Sequence, residues 1–437
     1  MSKRTLQITV TGDTMIARSL SMFPYCNDIA RLVQSADVRF TNCECLFHRG
    51  DIYPMPRDSS AGTLWYAEPP LAKELQWFGF NLVSIANTHA TDFGPAGLIS
   101  TIETLENYGM VVSGGGRDLD EARESKYVDT VHGRVALISA CYDTWHTDWE
   151  RASNGGSGFP ARPGMNLLRV ITEHTVGRSG LQSLSSIKKE VGLTPRNGRR
   201  DKGNDSDSLN FLGHSFKVGE TTGTRMTILP EDLTTMKHLI EDAKKLADWV
   251  LVSFHSHTTN SVALEYPSDL VRDLAHLSID SGADAFLGHG PHLLRGIEVY
   301  KERPIFYSLG NFIAHNNFVK KVAKEQYCFL NLGQNALPSD FYEARKGDIP
   351  PSEPPYSEWW YESIVGKFQL TEKGLDTLEA YPISLRNPGE TRENSETGNP
   401  RFPDETISGA IADNLTRLSG DFGTKLKYSK EKRLLTL

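Results

Sequence analysis

Five short polar motifs each follow directly on an apolar, β-branched run. They are Thr11-Gly12-Asp13 after Leu6–Thr11, Thr41-Asn42-Cys43-Glu44 after Val38–Asn42, and Asn87-Thr88-His89-Ala90-Thr91-Asp92 after Asn81–Ala86. His255-Ser256-His257 follows Trp249–Phe254, and Gly288-His289-Gly290-Pro291-His292 follows Ala285–Leu287. Taken singly, a Gly-Asp after a strand is an ordinary turn and an Asn-x-His an ordinary capped loop. Together they require an α/β sheet whose strand ends gather polar side chains, as functional groups gather in open α/β sheets.

Between these runs lie helical patterns. Ile29, Ala30, Leu32 and Val33 mark a short helix with Asn27 or Asp28 as its cap, and Leu71–Phe78 has helical spacing. Pro95 opens a helix through Tyr108, with Leu98, Ile99, Ile102 and Leu105 on one face and Gly109 after it. Tyr127–Val131 and Val135–Ala140 flank a His132-Gly133 turn, which predicts a hairpin. Later come helices near Leu233–Ala247, Leu270–Ser281 and Ile407–Leu418, and strands at Ile364–Leu370 and Leu378–Ser384. We read one domain over 1–437. An insertion at 152–225 is rich in Gly, Ser, Arg and Lys and carries Lys188, Lys189, Arg196, Arg199, Arg200 and Lys202. It is either a solvated loop or a lid over an acidic substrate. Residues 386–437 are expected to be a peripheral segment.

Composition narrows the function classes. With 437 residues, 38% hydrophobic, 23% charged and a net charge of −8, the chain is globular and lacks the basic excess of a nucleic-acid coat. No run approaches the ~18 apolar residues of a membrane span, and no apolar stretch marks a signal peptide. Five scattered cysteines argue against a disulfide framework. A cytoplasmic protein without nucleic-acid or membrane partners is therefore expected.

The side chains at the strand ends are imidazoles, carboxylates and asparagine amides, a mixture suited to a divalent cation of borderline hardness. Asn42 shares a face with Glu44 on an extended chain and is expected to support it. Cys43 and Cys45 alternate to the other face as small buried residues. His257 lies two residues past His255 and is a candidate second base. Trp145, Trp149, Trp359 and Trp360 are read as packing or as the walls of an aromatic pocket, and Asn311 as structural.

The order of these motifs, continued by Tyr307-Ser308-Leu309-Gly310-Asn311-Phe312 and accompanied by Arg162-Pro163-Gly164-Met165-Asn166, resembles the capsule-biosynthesis (CapA-type, poly-γ-glutamate) family of the calcineurin-like metallophosphatase superfamily. The resemblance covers residues 5–145 and 235–315. It implies a four-layer α-β-β-α sandwich with a metal centre between the sheets. Carried over position by position, Asp13 binds a first metal and Glu44 bridges. Asn87, His255 and His289 hold a second metal, and His292 returns to the first. His89 stands at the acid/base position with Asp92 orienting it. Met15 occupies a place where the superfamily has a histidine, so one tight site is favoured over two. The ion itself is left open among Mn, Zn, Fe and Ca.

Such a centre supports either hydrolysis or removal of a proton beside a carboxylate. A peptide Cα–H is too weak an acid for a histidine acting without electrostatic help. With no export signal read, the resemblance points to the lasso-peptide epimerase branch. It implies a metal-dependent epimerase acting on the Cα of a C-terminal residue of a ribosomally made precursor peptide. Metal-dependent hydrolysis of phosphoesters or γ-glutamyl amides, and a peptide-binding module without turnover, remain open alternatives.

Overall fold

The computed structural model describes residues 5–56, 63–193, 206–260, 263–316, 318–333, 335–345, 358–386 and 396–437. The chain forms two compact units, Leu168–Thr234 and the remainder.

The larger unit is built on two sheets. Among the described residues one has nine strands. Its order is 427–429, 434–436, 374–384, 362–371, 5–15, 38–43, 82–84 and 111–113, with 311–314 pairing alongside 5–15. The other has six, in the order 297–300, 303–306, 285–289, 249–255, 133–141 and 126–130. Alternating residues explain the layering, because successive side chains on a strand point to opposite faces. Ile8, Val10, Phe40 and Phe368 of the larger sheet share one buried cluster with Leu137, Leu251, Leu287 and Phe306 of the smaller. On the larger sheet's far face, Val83 and Val112 pack with the helices Cys26–Gln34, Ala72–Phe78 and Gly94–Asn107, through Ile29, Leu75 and Ile102. On the smaller sheet the intervening Val250, Val252, Phe254 and Phe286 are also buried, and the helix Asp269–Asp280 packs against the strand Ala285–His289. The architecture is the four-layer α-β-β-α sandwich.

The central strand Thr5–Met15 changes partners midway. Thr5–Val10 pairs antiparallel with 362–371, and Asp13–Met15 pairs parallel with 311–314. The changeover falls at Gly12, where a Cβ would overlap the Gly310 carbonyl oxygen. That same oxygen accepts the Asp13 N–H at 2.9 Å. A glycine is required there by close backbone approach.

The hairpin at 132–133 and the helices and strands read from the pattern are present within a few residues of their expected bounds. Three expectations are corrected. The first helix has Tyr25 at its N-cap and no side-chain cap, with Asn27 and Asp28 inside the helix. The insertion forms its own unit over Leu168–Thr234. Residues 152–167 belong to the larger unit because Gly164–Met165 pairs with Gly115–Gly116 and Met165 is in its core. The segment after 386 is not peripheral. Ile411, Ala412 and Leu415 of the helix Glu405–Gly420 enter the inter-sheet core, and 434–436 extends the larger sheet.

The smaller unit carries a four-stranded sheet, in the order 208–211, 214–218, 170–176 and 223–228, and the helix Arg178–Glu190. Lys188 and Lys189 lie in the last turn of that helix. Arg196, Arg199, Arg200 and Lys202 lie outside the described residues.

Candidate metal and acid–base centre

The polar strand ends converge through register. Asp13 is the pairing partner of Asn42 in the larger sheet, and His255 is the partner of His289 in the smaller. Asp13, Asn42, Glu44, Asn87, Thr88, His255 and His289 are buried. His292 occupies the left-handed region at φ 57°, a conformation that non-glycine residues hold at a cost and that recurs in functional sites.

Asp13 meets three imidazoles. Its Oδ1 lies 3.9 Å from His255 Nδ1 and 3.5 Å from His289 Nδ1, and its Oδ2 lies 3.6 Å from His292 Nδ1. Glu44 Oε1 is 3.4 Å from His255 Nε2, and Oε2 is 3.8 Å from His292 Nδ1. All of these separations exceed good hydrogen bonds. Glu44 Oε2 and both ring nitrogens of His289 are buried without a hydrogen-bond partner. Two overlapping trios, Asp13–Glu44–His255 and Glu44–His257–His292, each place their donor atoms within 4.8 Å of one another. Carboxylates and imidazoles spaced to surround a point, with orphaned buried donor atoms, fit a divalent cation.

The electrostatics agree. Burial opposes the charge on Asp13, yet His289, His255 and His292 outweigh it and hold the carboxyl well below the ordinary range. Burial, then the charge of Asp13, drives the Glu44 carboxyl well above its usual value. Burial likewise lowers His255, and burial followed by the charge of His257 brings His292 down to about 3. Both shifts favour neutral rings at His255 and His292, the form in which imidazole binds metals.

A chain of amides orients the floor. The Asn87 Oδ1 accepts the His89 backbone N–H at 3.1 Å, and its Nδ2 donates to the Cys43 carbonyl at 2.8 Å and to Asn42 Oδ1 at 3.3 Å. Asn42 Nδ2 then donates to Asp13 Oδ1 at 2.8 Å and lies 3.2 Å from His255 Nδ1. Because the two backbone groups have fixed polarity, both amides are locked in one orientation. Asn87, expected as a ligand, spends one lone pair of its Oδ1 on positioning His89. Met15 is a core residue and offers nothing to the centre.

Two histidines border the cluster with partly exposed side chains. His89 Nδ1 lies 2.7 Å from Asp92 Oδ2, which also accepts the Trp65 N–H at 2.7 Å. His257 Nδ1 lies 2.8 Å from Asp143 Oδ2. In each pair a carboxylate holds Nδ1 and leaves Nε2 free for a proton or a metal. Trp145 packs on His257 and Trp360 on His292, at ring-centroid distances of 4.9 and 4.5 Å.

Three further residues border the centre that the motifs did not assign to it. Asp143 sits two residues past the strand Gly133–Cys141, the same strand-end signal as the other motifs. Thr88 donates to Glu44 Oε1 at 3.1 Å and lies 3.3 Å from His255 Nε2, a role that nothing in its motif foretells. Asn311, read as structural, has its Oδ1 2.8 Å from His292 Nδ1 and orients that ring. Cys43 and Cys45 are buried, as their alternation predicts.

Residues 7–316 match the family described as bacterial capsule synthesis protein PGA_cap. The chain belongs to this family. Similar sequences include the uncharacterised protein y4sH of Sinorhizobium fredii, 31% identical across 98% of this chain and 93% of that one. The PGA biosynthesis protein CapA of Bacillus subtilis is 38% identical across 38% of this chain and 43% of its own length. A solved structure described as a novel phosphatase from Mycoplasma pneumoniae aligns over 88% of this chain and 96% of that one. Its TM-score is 0.42 at 10% identity, a level that adds nothing to the family assignment. Among the described residues no helix is long and apolar enough to cross a membrane.

Proposed function

We propose that this PGA_cap family chain is a metal-dependent epimerase that inverts the Cα of a peptide residue beside a carboxylate, with a ribosomally made precursor peptide of the lasso type as substrate. The observation that carries this reading is the second histidine–carboxylate pair. Hydrolysis at such a centre uses one proton donor, whereas a two-base inversion at carbon uses a base on one face and an acid on the other. His89 with Asp92 and His257 with Asp143 border the same buried cluster and supply two.

Asp13, Glu44, His255 and His289 would hold the cation, with His292 at its edge. A divalent ion, when bound, supplies Lewis acidity to the carboxylate oxygens on which negative charge grows. His89 Nε2 takes the Cα proton while Asp92 steadies the resulting imidazolium. His257, protonated at Nε2, returns a proton to the opposite face. The reverse pair of transfers converts the other epimer. No bond other than Cα–H breaks, and no co-reactant is consumed. Burial of Asp92 and Asp143 keeps each carboxylate dry, which strengthens its grip on the ring.

The test is incubation of the metal-loaded protein with a candidate precursor peptide in deuterated water. One deuterium at a single Cα without chain cleavage supports the proposal; release of a shorter peptide or an amine rejects it. A second reading, hydrolysis of phosphoesters or γ-glutamyl amides, is favoured by the names of the relatives, among them PGA biosynthesis protein CapA. Release of p-nitrophenol from its phosphate, or of p-nitroaniline from its γ-glutamyl amide, abolished by His89→Gln, would select it.

A further inference from the structure

Two cavities lined by none of the centre's residues share Tyr66 as a common wall. One, of about 380 Å³, is lined by Arg18, Lys73, Lys320 and Glu68, among others, with Lys320 Nζ 3.8 Å from Glu68 Oε1. The other, of about 210 Å³, is lined by His48, Phe93 and Lys321, among others. A single stretch of chain serves both, Phe318–Lys320 in the first and Lys321–Ala323 in the second.

Each cavity is lined by a residue with a buried donor nitrogen that has no partner, Arg18 (Nε) in the first and His48 (Nε2) in the second. Arg18 Nη2 donates to the Thr397 carbonyl at 3.4 Å and to Asn399 Oδ1 at 3.2 Å, and the charge of Glu396 also acts on the guanidinium. Its guanidinium is fixed 4.0 Å above the Phe318 ring. A stacked, partly desolvated guanidinium is matched to a carboxylate. His48 Nδ1 accepts the Gly50 N–H at 3.0 Å, so the neutral ring carries its proton on the unpartnered Nε2. Burial lowers the basicity of His48 and favours that neutral form. Around it the rings of Phe93 and Tyr66 pack at centroid distances of 4.2 and 4.7 Å. The walls are apolar and the volume exceeds the ~150 Å³ that admits a benzene ring.

We propose that these cavities form one groove for an extended peptide segment, with an acidic side chain in the Arg18 cavity and a ring-sized apolar side chain in the His48 cavity. Arg18, Lys73 and Lys320 outnumber Glu68 around the first cavity and favour an anionic segment. Two pockets on either side of one tyrosine suit side chains i and i+2, which share a face of an extended chain about 7 Å apart. The groove rests on the reading of a peptide substrate and extends it. Its wall is joined to the chemistry: Phe93 follows Asp92, and Leu64 precedes Trp65, whose N–H is bonded to Asp92.

Calorimetric titration of the full chain with acetyl-Glu-Gly-Phe-amide and acetyl-Phe-Gly-Glu-amide tests this directly. One of the two is expected to saturate. Replacing its Glu by Gln should weaken binding about tenfold, the loss expected for a charge-assisted contact. Arg18→Gln should erase that Glu–Gln difference. If Arg18→Gln does not fold, the exposed Lys73→Gln and Lys320→Gln variants should each weaken the acidic peptide about twofold and leave its Gln analogue unchanged. Equal affinity for the Glu and Gln probes, equal affinity when Phe is replaced by Ala, or no saturation at millimolar probe would overturn the groove. Binding requires no turnover, so intact binding of these probes with no Cα deuterium incorporation into a precursor peptide bearing its C-terminal carboxylate would refute the epimerase and leave the groove standing. Cα exchange with unchanged KM on a peptide lacking both side chains would do the reverse.

Discussion

Asp143 grips His257 twice: one carboxylate oxygen lies 2.8 Å from the ring Nδ1 and accepts the backbone N–H of the same residue at 2.7 Å. Burial works against the Asp143 charge, but the bond to His257 outweighs it and lowers the carboxyl below its ordinary range. The ring therefore cannot turn, and its Nε2 is committed to the cluster side. His257→Gln and His89→Gln should each reduce inversion about 10²- to 10⁴-fold, the usual worth of a placed acid or base. Each variant should still wash deuterium into one epimer and not the other. Mass spectrometry of the separate L and D peptides reads this; loss of exchange from both epimers in both variants would refute a two-base arrangement.

The two carboxyl groups of the cluster bear on metal loading. Burial and the charge of Asp13 push the Glu44 carboxyl well above its usual value, favouring a proton that a bound cation would drive off. Binding of Mn²⁺ or Zn²⁺ should therefore release protons, measurable as a buffer-dependent binding enthalpy. At a hundredfold excess over Kd it should stabilise the fold by about 2.7 kcal/mol, seen as a raised Tm. Glu44→Gln should remove both signals. An unchanged Tm in the presence of every divalent ion tried would count against the centre.

Gly12 carries a purely steric prediction. Gly12→Ala would push a methyl group into the Gly310 carbonyl, at the point where the strand Thr5–Met15 changes partners. Neither backbone can retreat without breaking the 2.9 Å bond from Asp13 N–H to Gly310 O. We expect a loss of about 3 kcal/mol, with metal affinity falling because Asp13 moves. Wild-type denaturant midpoint and metal affinity in the variant would show the contact to be compliant.

His315 gives the fold an acid sensitivity. It is fully buried, with Ala17 N–H donating to Nδ1 at 3.1 Å and Asn399 Oδ1 2.8 Å from Nε2. Burial, followed by the charge of Arg18, lowers its pKa from 6.5 to about 3. The folded state is then reluctant to bind a proton that the unfolded chain accepts. Stability contributed by the neutral ring is complete above pH 6.5 and declines, on the order of 1 kcal/mol per pH unit, as the pH falls toward 3. Denaturant titrations at pH 7 and pH 5 should show that decline, reduced in His315→Gln. Identical slopes in both proteins would assign it to other groups.

Much of this was legible in the chain. The strands and helices follow from apolar periodicity, a local property, and the six proposed ligands sit where short polar motifs follow strands. Orientation was not legible. Asn87 matches a ligand position, yet its amide is turned by the Cys43 carbonyl and the His89 N–H. Asn311 looked structural and proves to hold His292. Hydrogen-bond polarity across different strands has no trace in spacing.

The one-dimensional order of residues determined the layers, the strand ends and the kinds of donor atom available, because these depend on neighbours a few positions apart. Tertiary structure alone decided which carboxylate meets which imidazole, that Asp143 pairs with His257 across 114 positions, and that the last helix belongs to the core. Such contacts are set by sheet register and by burial of both partners, and those quantities exist only once distant segments have packed.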